Sequence, residues 1–169
     1  EAPIRLDHPN IVRMLDSGTL ADGNPFMVME YIAGYSLNKV LRGSGKLPFD
    51  FIAHVTESVT DALSAAHSQK ILQRDIKPAN IMLTPQEENF ERVRLIDFGI
   101  ARVEDSRLAE ETKAFVSIGT LQYIAPEQLE GKLAQTRATD IYAFAIVIYQ
   151  MLTGKLPFEP HNPVEMFVM

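Results

Sequence analysis

Four residues stand where their types and spacing could do chemistry together. Asp75, Lys77 and Asn80 lie in a tight segment, Gln-Arg-Asp-Ile-Lys-Pro-Ala-Asn at 73–80, which Pro78 keeps from being an ordinary helix. Asp97 directly follows a short apolar run and precedes Phe98 and Gly99. Asn80 and Asp97 offer hard oxygen ligands of the kind that suit Mg²⁺, which takes a carboxylate plus phosphate oxygens and water. Asp75 is a carboxylate able to accept a proton from a hydroxyl. Lys77 can neutralise charge on a moving phosphoryl group. A base, a cation and metal-ligating oxygens together define a phosphoryl-transfer site.

These residues need elements to bring them together. His8-Pro9-Asn10 is a turn signal, followed by a strand-like run at 11–15. Residues 18–25 contain Asp22-Gly23 and Pro25, which predict a hairpin connection, with 26–31 as the return strand. Gly34 breaks that strand, and Ser36 is expected to cap a short helix over 37–41. Residues 43–45, Gly-Ser-Gly, read as a flexible loop. Pro48 opens a long helix to about Ser68, where Ile52, Val55, Val59, Leu63 and Ala66 recur at helical spacing on one buried face. Residues 81–83 and 93–96 are short apolar runs around a polar hairpin, 84–92. Residues 97–126 lack periodicity and read as one long loop, a length usually reserved for function or disorder. Residues 140–152 are apolar on nearly every side, which predicts a central buried helix, and Gly154 ends it. His54 and His67 fall on the long helix and read as structural or surface residues.

Composition narrows the classes. The 169 residues suffice for one compact domain, and 46% hydrophobic with 22% charged is ordinary for a globular chain. There is no Cys, which excludes disulfides and thiolate metal sites. A net charge of −6 argues against a dedicated nucleic-acid binder. The longest apolar run, 141–149, is too short to cross a bilayer, which takes about 20 helical residues.

The ordered motifs carry a resemblance. His-Pro-Asn-Ile-Val at 8–12, Met-Glu-Tyr at 29–31, the 73–80 segment, Asp-Phe-Gly at 97–99, Gly-Thr-Leu-Gln-Tyr-Ile-Ala-Pro-Glu at 119–127 and the helix ending at Gly154 follow one another as in eukaryotic-type protein kinases of the kind also common in bacteria. Alone, each piece reads as a cap, a turn or a solvated charge; their joint order is specific. The resemblance implies an α+β, protein-kinase-like fold with a mostly helical large lobe. Residues 1–31 would be the end of the small lobe and the hinge strand, and 32–169 a partial large lobe, so that the chain is one incomplete kinase domain. It implies a protein Ser/Thr kinase using ATP and Mg²⁺, because Lys77 and Thr120 resemble the Ser/Thr branch.

Site roles follow from the same resemblance. Asp75 would orient the acceptor hydroxyl and take its proton, Lys77 would contact the transferring phosphate, and Thr120 would stand beside the acceptor. Asn80 and Asp97 would hold Mg²⁺. Glu30 and Ile32 would offer backbone groups to adenine, with Met29 as gatekeeper, Met82 as the apolar floor and Leu37 beneath it; core packing is nearly as good a reading for Leu37. Arg74 resembles the arginine that receives a loop phosphate, with Thr112 and Ser117 as candidate phosphosites. Asp140 resembles an aspartate that ties the central helix to the catalytic-loop backbone, and it also reads as a helix N-cap.

Departures bear on the alternatives. Gln73 stands where the family usually has His, Ala145 where it usually has Gly, and the 84–92 hairpin is longer than typical. A Gly-rich phosphate loop and a strand Lys are not in the sequence, and Glu1 beside Pro3 does not fit the helix glutamate, so the stretch alone is expected to transfer phosphate poorly. The arginine expected to pair with Glu127 is not found. Gln73 leaves open a pseudokinase or kinase-fold interaction module, and a small-molecule kinase is a weaker alternative. The expected partner is a protein with a Ser/Thr acceptor, with no nucleic acid and no membrane segment in this stretch. The expected location is cytoplasmic, an anchor elsewhere in the parent protein staying open, as does the oligomeric state.

Overall fold

The computed structural model describes residues 6–85, 91–98, 122–129 and 136–158. The first sheet is a two-stranded ribbon, β1 (Met14–Thr19) antiparallel to β2 (Pro25–Met29), with Gly18 opposite Phe26. The hairpin expected at 18–25 is therefore present. The preceding strand differs: it starts at Met14, and Ile11 instead forms a parallel bridge with Leu95. Asn10 explains this, because its side chain donates to the Val93 carbonyl at 2.8 Å while its own carbonyl receives the Leu95 amide. The chain leading to the hinge is thus pinned to the strand that leads to Asp97.

The second sheet has the order β3 (Tyr35–Ser36), β4 (Ile81–Thr84), β5 (Arg92–Leu95), all antiparallel neighbours. The β4–β5 pair confirms the two short apolar runs as a hairpin. Helix α1 (Leu37–Ser44) follows β3 directly and is longer than expected. Ser36 makes no side-chain cap bond, because it is still paired with Met82 as the last residue of β3.

Helix α2 (Phe49–Ser68) buries Ile52, Val55, Val59, Leu63 and Ala66, the face its spacing predicted. After α2, a short 3₁₀ turn (Pro78–Asn80) leads into β4. Helix α3 (Pro126–Leu129) is a single turn. Helix α4 (Arg137–Thr153) packs against α2 through a face that includes Ala143, Phe144, Val147 and Met151. It is not buried all round: Ile141, Tyr149 and Leu152 are exposed among the described residues, because the described elements pack on one side of it. Gly154 ends it in the left-handed conformation at φ 73°, as a C-terminal glycine does.

One glycine fixes where the chain after β2 turns into the three-stranded sheet. A Cβ on Gly34 would run into the backbone carbonyl of Leu83 in β4, a rigid neighbour that cannot step aside. Gly34→Ala is therefore expected to destabilise the fold by about 1–3 kcal/mol, the usual cost of overpacking, read as a lower urea midpoint with an unchanged slope. A midpoint equal to the wild type's would contradict the close approach.

Candidate active site

Residues 71–76 form no regular secondary structure, so their backbone donors need side-chain acceptors. Asp140, in the first turn of α4 and 1% exposed, supplies them. Its Oδ2 accepts from the Gln73 amide at 3.0 Å and its Oδ1 from the Arg74 amide at 2.8 Å. His67, in the last turn of α2, brings Nε2 to 2.7 Å from Oδ2 and serves as a third donor. Arg137 in turn donates to the His67 carbonyl at 2.7 Å. The N-cap reading of Asp140 is corrected. Thr136 caps α4 in a capping box with Thr139, which leaves Asp140 free for the loop. Arg74 itself sits at φ 65°, a left-handed conformation that costs a non-glycine residue roughly 1–2 kcal/mol and that the Asp140 bonds hold in place.

The 3₁₀ turn then returns Asn80 onto Asp75. Asn80 Nδ2 donates to the Asp75 carbonyl at 2.8 Å and to Asp75 Oδ2 at 3.0 Å. Lys77 Nζ lies 2.7 Å from the same Oδ2. Asp75 Oδ1 has no hydrogen-bond partner among the described residues. Asn80 spends its donor on Asp75, which leaves its Oδ1, the only atom of the amide able to bind a cation, facing elsewhere.

Asp97 is brought to the same place through the backbone. The Ile96 amide donates to the Asn80 carbonyl at 3.0 Å, and Asp97 follows in the left-handed region at φ 68°. Burial pushes the Asp97 carboxyl above its usual range, and the negative charge of Asp75 pushes it further, with Lys77 opposing. A divalent cation at this point would offset both causes, so the donor chemistry of Asn80 and Asp97 fits an oxygen-ligated ion such as Mg²⁺.

Gln73 is 2% exposed and uses both ends of its carboxamide. Nε2 donates to the Ile96 carbonyl at 3.2 Å, and Oε1 accepts from the Asp75 amide at 2.7 Å. Gln73 therefore ties the loop carrying Asp75 to the residue before Asp97.

After β2, the Glu30 amide donates to the Arg13 carbonyl and the Gly34 amide to the Ile32 carbonyl. The groups expected to face adenine, the Glu30 carbonyl and the Ile32 amide, are the complementary ones. The Glu30 side chain has a second task not read from sequence. Its Oε1 accepts from the Arg13 amide at 2.9 Å and lies 3.2 Å from Arg94 Nη1 on β5. The Arg13 amide, helped by the Arg94 guanidinium and opposed by burial, holds its carboxyl below the usual range. Met29 ends β2 half-buried, and Met82 lies half-buried on β4 between Ser36 and Arg94. Leu37 is fully buried in the core, which favours its packing reading.

Thr112, Ser117 and Thr120 lie outside the described residues, as does Gly99. Glu127, expected to lack its arginine, accepts from Thr139 Oγ1 at 2.9 Å. His54 is structural: its Nε2 lies 2.8 Å from the Glu91 carbonyl. His67 and Gln128 are the residues that sequence reasoning missed as parts of the site's framework. Gln128 accepts from the Ala125 amide at 3.0 Å and donates to the Arg74 carbonyl at 3.3 Å.

The protein kinase domain family matches residues 3–168, and the chain belongs to that family. It is 39% identical over 166 residues to the serine/threonine-protein kinase pkn3 of Myxococcus xanthus, covering 97% of this chain and 30% of that protein. It is 41% identical over 162 residues to the probable serine/threonine-protein kinase PknB of Corynebacterium glutamicum, covering 94% and 24%. With the serine/threonine-protein kinase PrkC of Bacillus subtilis it shares 36% over 159 residues, covering 94% and 23%. The chain thus spans less than a third of the length of these relatives. No helix among the described residues is long and apolar enough to cross a membrane.

Replacing Asp140 by Ala strands buried donors at residues 67, 73 and 74. The expected loss is about 3–5 kcal/mol of unfolding free energy, the usual result of breaking a buried ionic hydrogen-bond set, measured by urea denaturation. A loss below about 1 kcal/mol would show that the loop does not depend on this carboxylate.

Proposed function

We propose that this chain carries the catalytic core of a protein serine/threonine kinase that uses ATP and Mg²⁺. The observation that carries the reading is the convergence of Asp75, Lys77 and Asn80 on one carboxylate oxygen, with the Asn80 carbonyl bonded to the residue before Asp97. Asp75 Oδ2 is occupied by Lys77 and Asn80, which fixes the carboxylate and leaves Oδ1 to accept the hydroxyl proton of a Ser or Thr acceptor. Lys77 stands beside that oxygen, where its charge stabilises a phosphoryl group arriving at the same alcohol. Asn80 Oδ1 and Asp97 are the ligands for Mg²⁺, which supplies charge neutralisation at the phosphates when bound. In this reading the Glu30 carbonyl and Ile32 amide make the adenine edge of the site, with Met29 and Met82 as its apolar contacts. Arg74 in this reading receives a phosphate on the loop that contains Thr112 and Ser117, and Thr120 lines the acceptor side. Residues 1–31 close the small lobe and 32–169 belong to the large lobe.

The named activities of the relatives support the Ser/Thr assignment. The interaction-module alternative drew on Gln73 alone. That residue is bonded to both Asp75 and Ile96 and so supports the site's geometry.

The test uses the full-length protein with labelled ATP and casein as acceptor. Asp75→Asn is expected to lower kcat by about 10²–10⁴-fold, the span typical for loss of a general base, with KM for ATP within about threefold of the wild type's. Asp97→Asn is expected to raise the Mg²⁺ concentration needed for half-maximal rate by about tenfold or more, since one of two protein ligands loses its charge. An Asp75→Asn protein with undiminished transfer would overturn the assignment. An unchanged Mg²⁺ requirement in Asp97→Asn would remove Asp97 from the metal site.

A further inference from the structure

The peptide unit joining Arg74 to Asp75 is gripped at both ends by glutamine carboxamides. Its N–H, on Asp75, donates to Gln73 Oε1 at 2.7 Å. Its C=O, on Arg74, accepts from Gln128 Nε2 at 3.3 Å. A peptide unit is planar, so holding its two polar ends fixes the whole plane. That plane sets ψ of Arg74 and φ of Asp75 together, and hence the direction in which the Asp75 side chain leaves the backbone. The residue before it, Arg74, is in the left-handed region at φ 65°, so the loop enters this plane from a sparsely populated backbone conformation.

The two grips come from different parts of the chain. Gln73 belongs to the loop itself. Gln128 belongs to α3, fifty-four residues from Arg74, and its Oε1 accepts from the Ala125 amide at 3.0 Å. The segment around it is anchored separately to α4. Tyr123 donates to Gln150 at 2.8 Å, and Thr139 donates to Glu127 at 2.9 Å. The segment is therefore a fixed arm, and Gln128 is the contact through which its position reaches the catalytic loop. Only a side chain that donates and accepts at once can bridge a backbone N–H and a backbone C=O in this way. Glu at 128 would keep the bond from Ala125 and set an oxygen against the Arg74 carbonyl. Met would keep the shape and make neither bond.

We propose that Gln128 is a positioning residue for Asp75: it registers the segment 122–129 against the Arg74–Asp75 peptide plane and so aims the carboxylate. The inference rests on the reading of Asp75 as the base for the acceptor hydroxyl, and its structural half can be measured without activity.

The experiment compares Gln128→Glu, Gln128→Met and Tyr123→Phe in the full-length protein. Tyr123→Phe removes an anchor of the same segment without touching the loop. With casein and labelled ATP, both Gln128 variants are expected to lose about tenfold in kcat, the order that sub-ångström misplacement of a reacting group costs. KM for ATP is expected to stay within about twofold, and the melting temperature within about 3 °C. Tyr123→Phe is expected to lower the melting temperature with kcat retained, because the Thr139–Glu127 bond still anchors the segment next to Gln128. Amide hydrogen exchange supplies the second readout. The Asp75 amide should exchange about tenfold faster in both Gln128 variants, while those of Gln73 and Arg74, held by Asp140, keep their rates. Wild-type kcat in Gln128→Met overturns the proposal, and so does a loss of kcat that merely tracks melting temperature across all three variants. A wild-type protein whose transfer does not depend on Asp75 refutes the functional reading instead. In that case the exchange of the Asp75 amide still decides whether Gln128 sets the plane.

Discussion

A carboxylate taken out of water must find donors where it goes, and Asp140 finds them on two other parts of the chain. It receives the amides of Gln73 and Arg74 from the 71–76 loop and Nε2 of His67 from the end of α2. The end of α2, the loop that follows it and the start of α4 are thereby fixed to one side chain. The cost of burying the charge is offset only while all of these partners are in place. This makes the arrangement all-or-none. The loop cannot drift from α4 without leaving an ion unpaired in the interior, so Arg74 stays in a conformation that it would otherwise avoid.

From that anchor the site assembles by short steps. With residues 73 and 74 fixed, the carboxamide of Gln73 reaches the Asp75 amide on one side and the Ile96 carbonyl on the other. Asn80 closes back on Asp75, and its own carbonyl receives the Ile96 amide. Asp97 therefore takes its place from two backbone contacts at the preceding residue. The hinge is tied to the same strand by the Asn10 bond to Val93 and by the Glu30–Arg94 pair on β5. Strand β5 thus serves as the common reference for the segment carrying Glu30 and for Asp97.

Much of this was legible in the sequence, for physical reasons. The repeat of Ile52, Val55, Val59, Leu63 and Ala66 has one solution, a helix with a buried face. Asp75, Lys77, Asn80 and Asp97 could be named because their chemistry leaves few roles for such a set. Partners far apart in sequence were not legible. Nothing in the local pattern links His67 to Asp140, seventy-three positions on, so a histidine on this helix reads only as structural or surface, with no partner named. The cap role of Asp140 looked plausible because an acid near a helix start usually is one. The capping box set by Thr136 and Thr139 displaced it upstream. The strand expected at 11–15 began late because Asn10 and Ile11 pair with β5, a competition that no local propensity reports. Gln128 was hidden for the same reason, since its value lies in the two backbone groups that it spans.

The central claim is that Asp140 holds an irregular loop as firmly as a packed helix. Native-state hydrogen exchange on the wild-type protein tests it most directly, because the amides of Gln73 and Arg74 both donate to that carboxylate. The account predicts that both exchange as slowly as the interior amides of α4, through global unfolding. Exchange at the rate of an open loop, with α4 still protected, would contradict it.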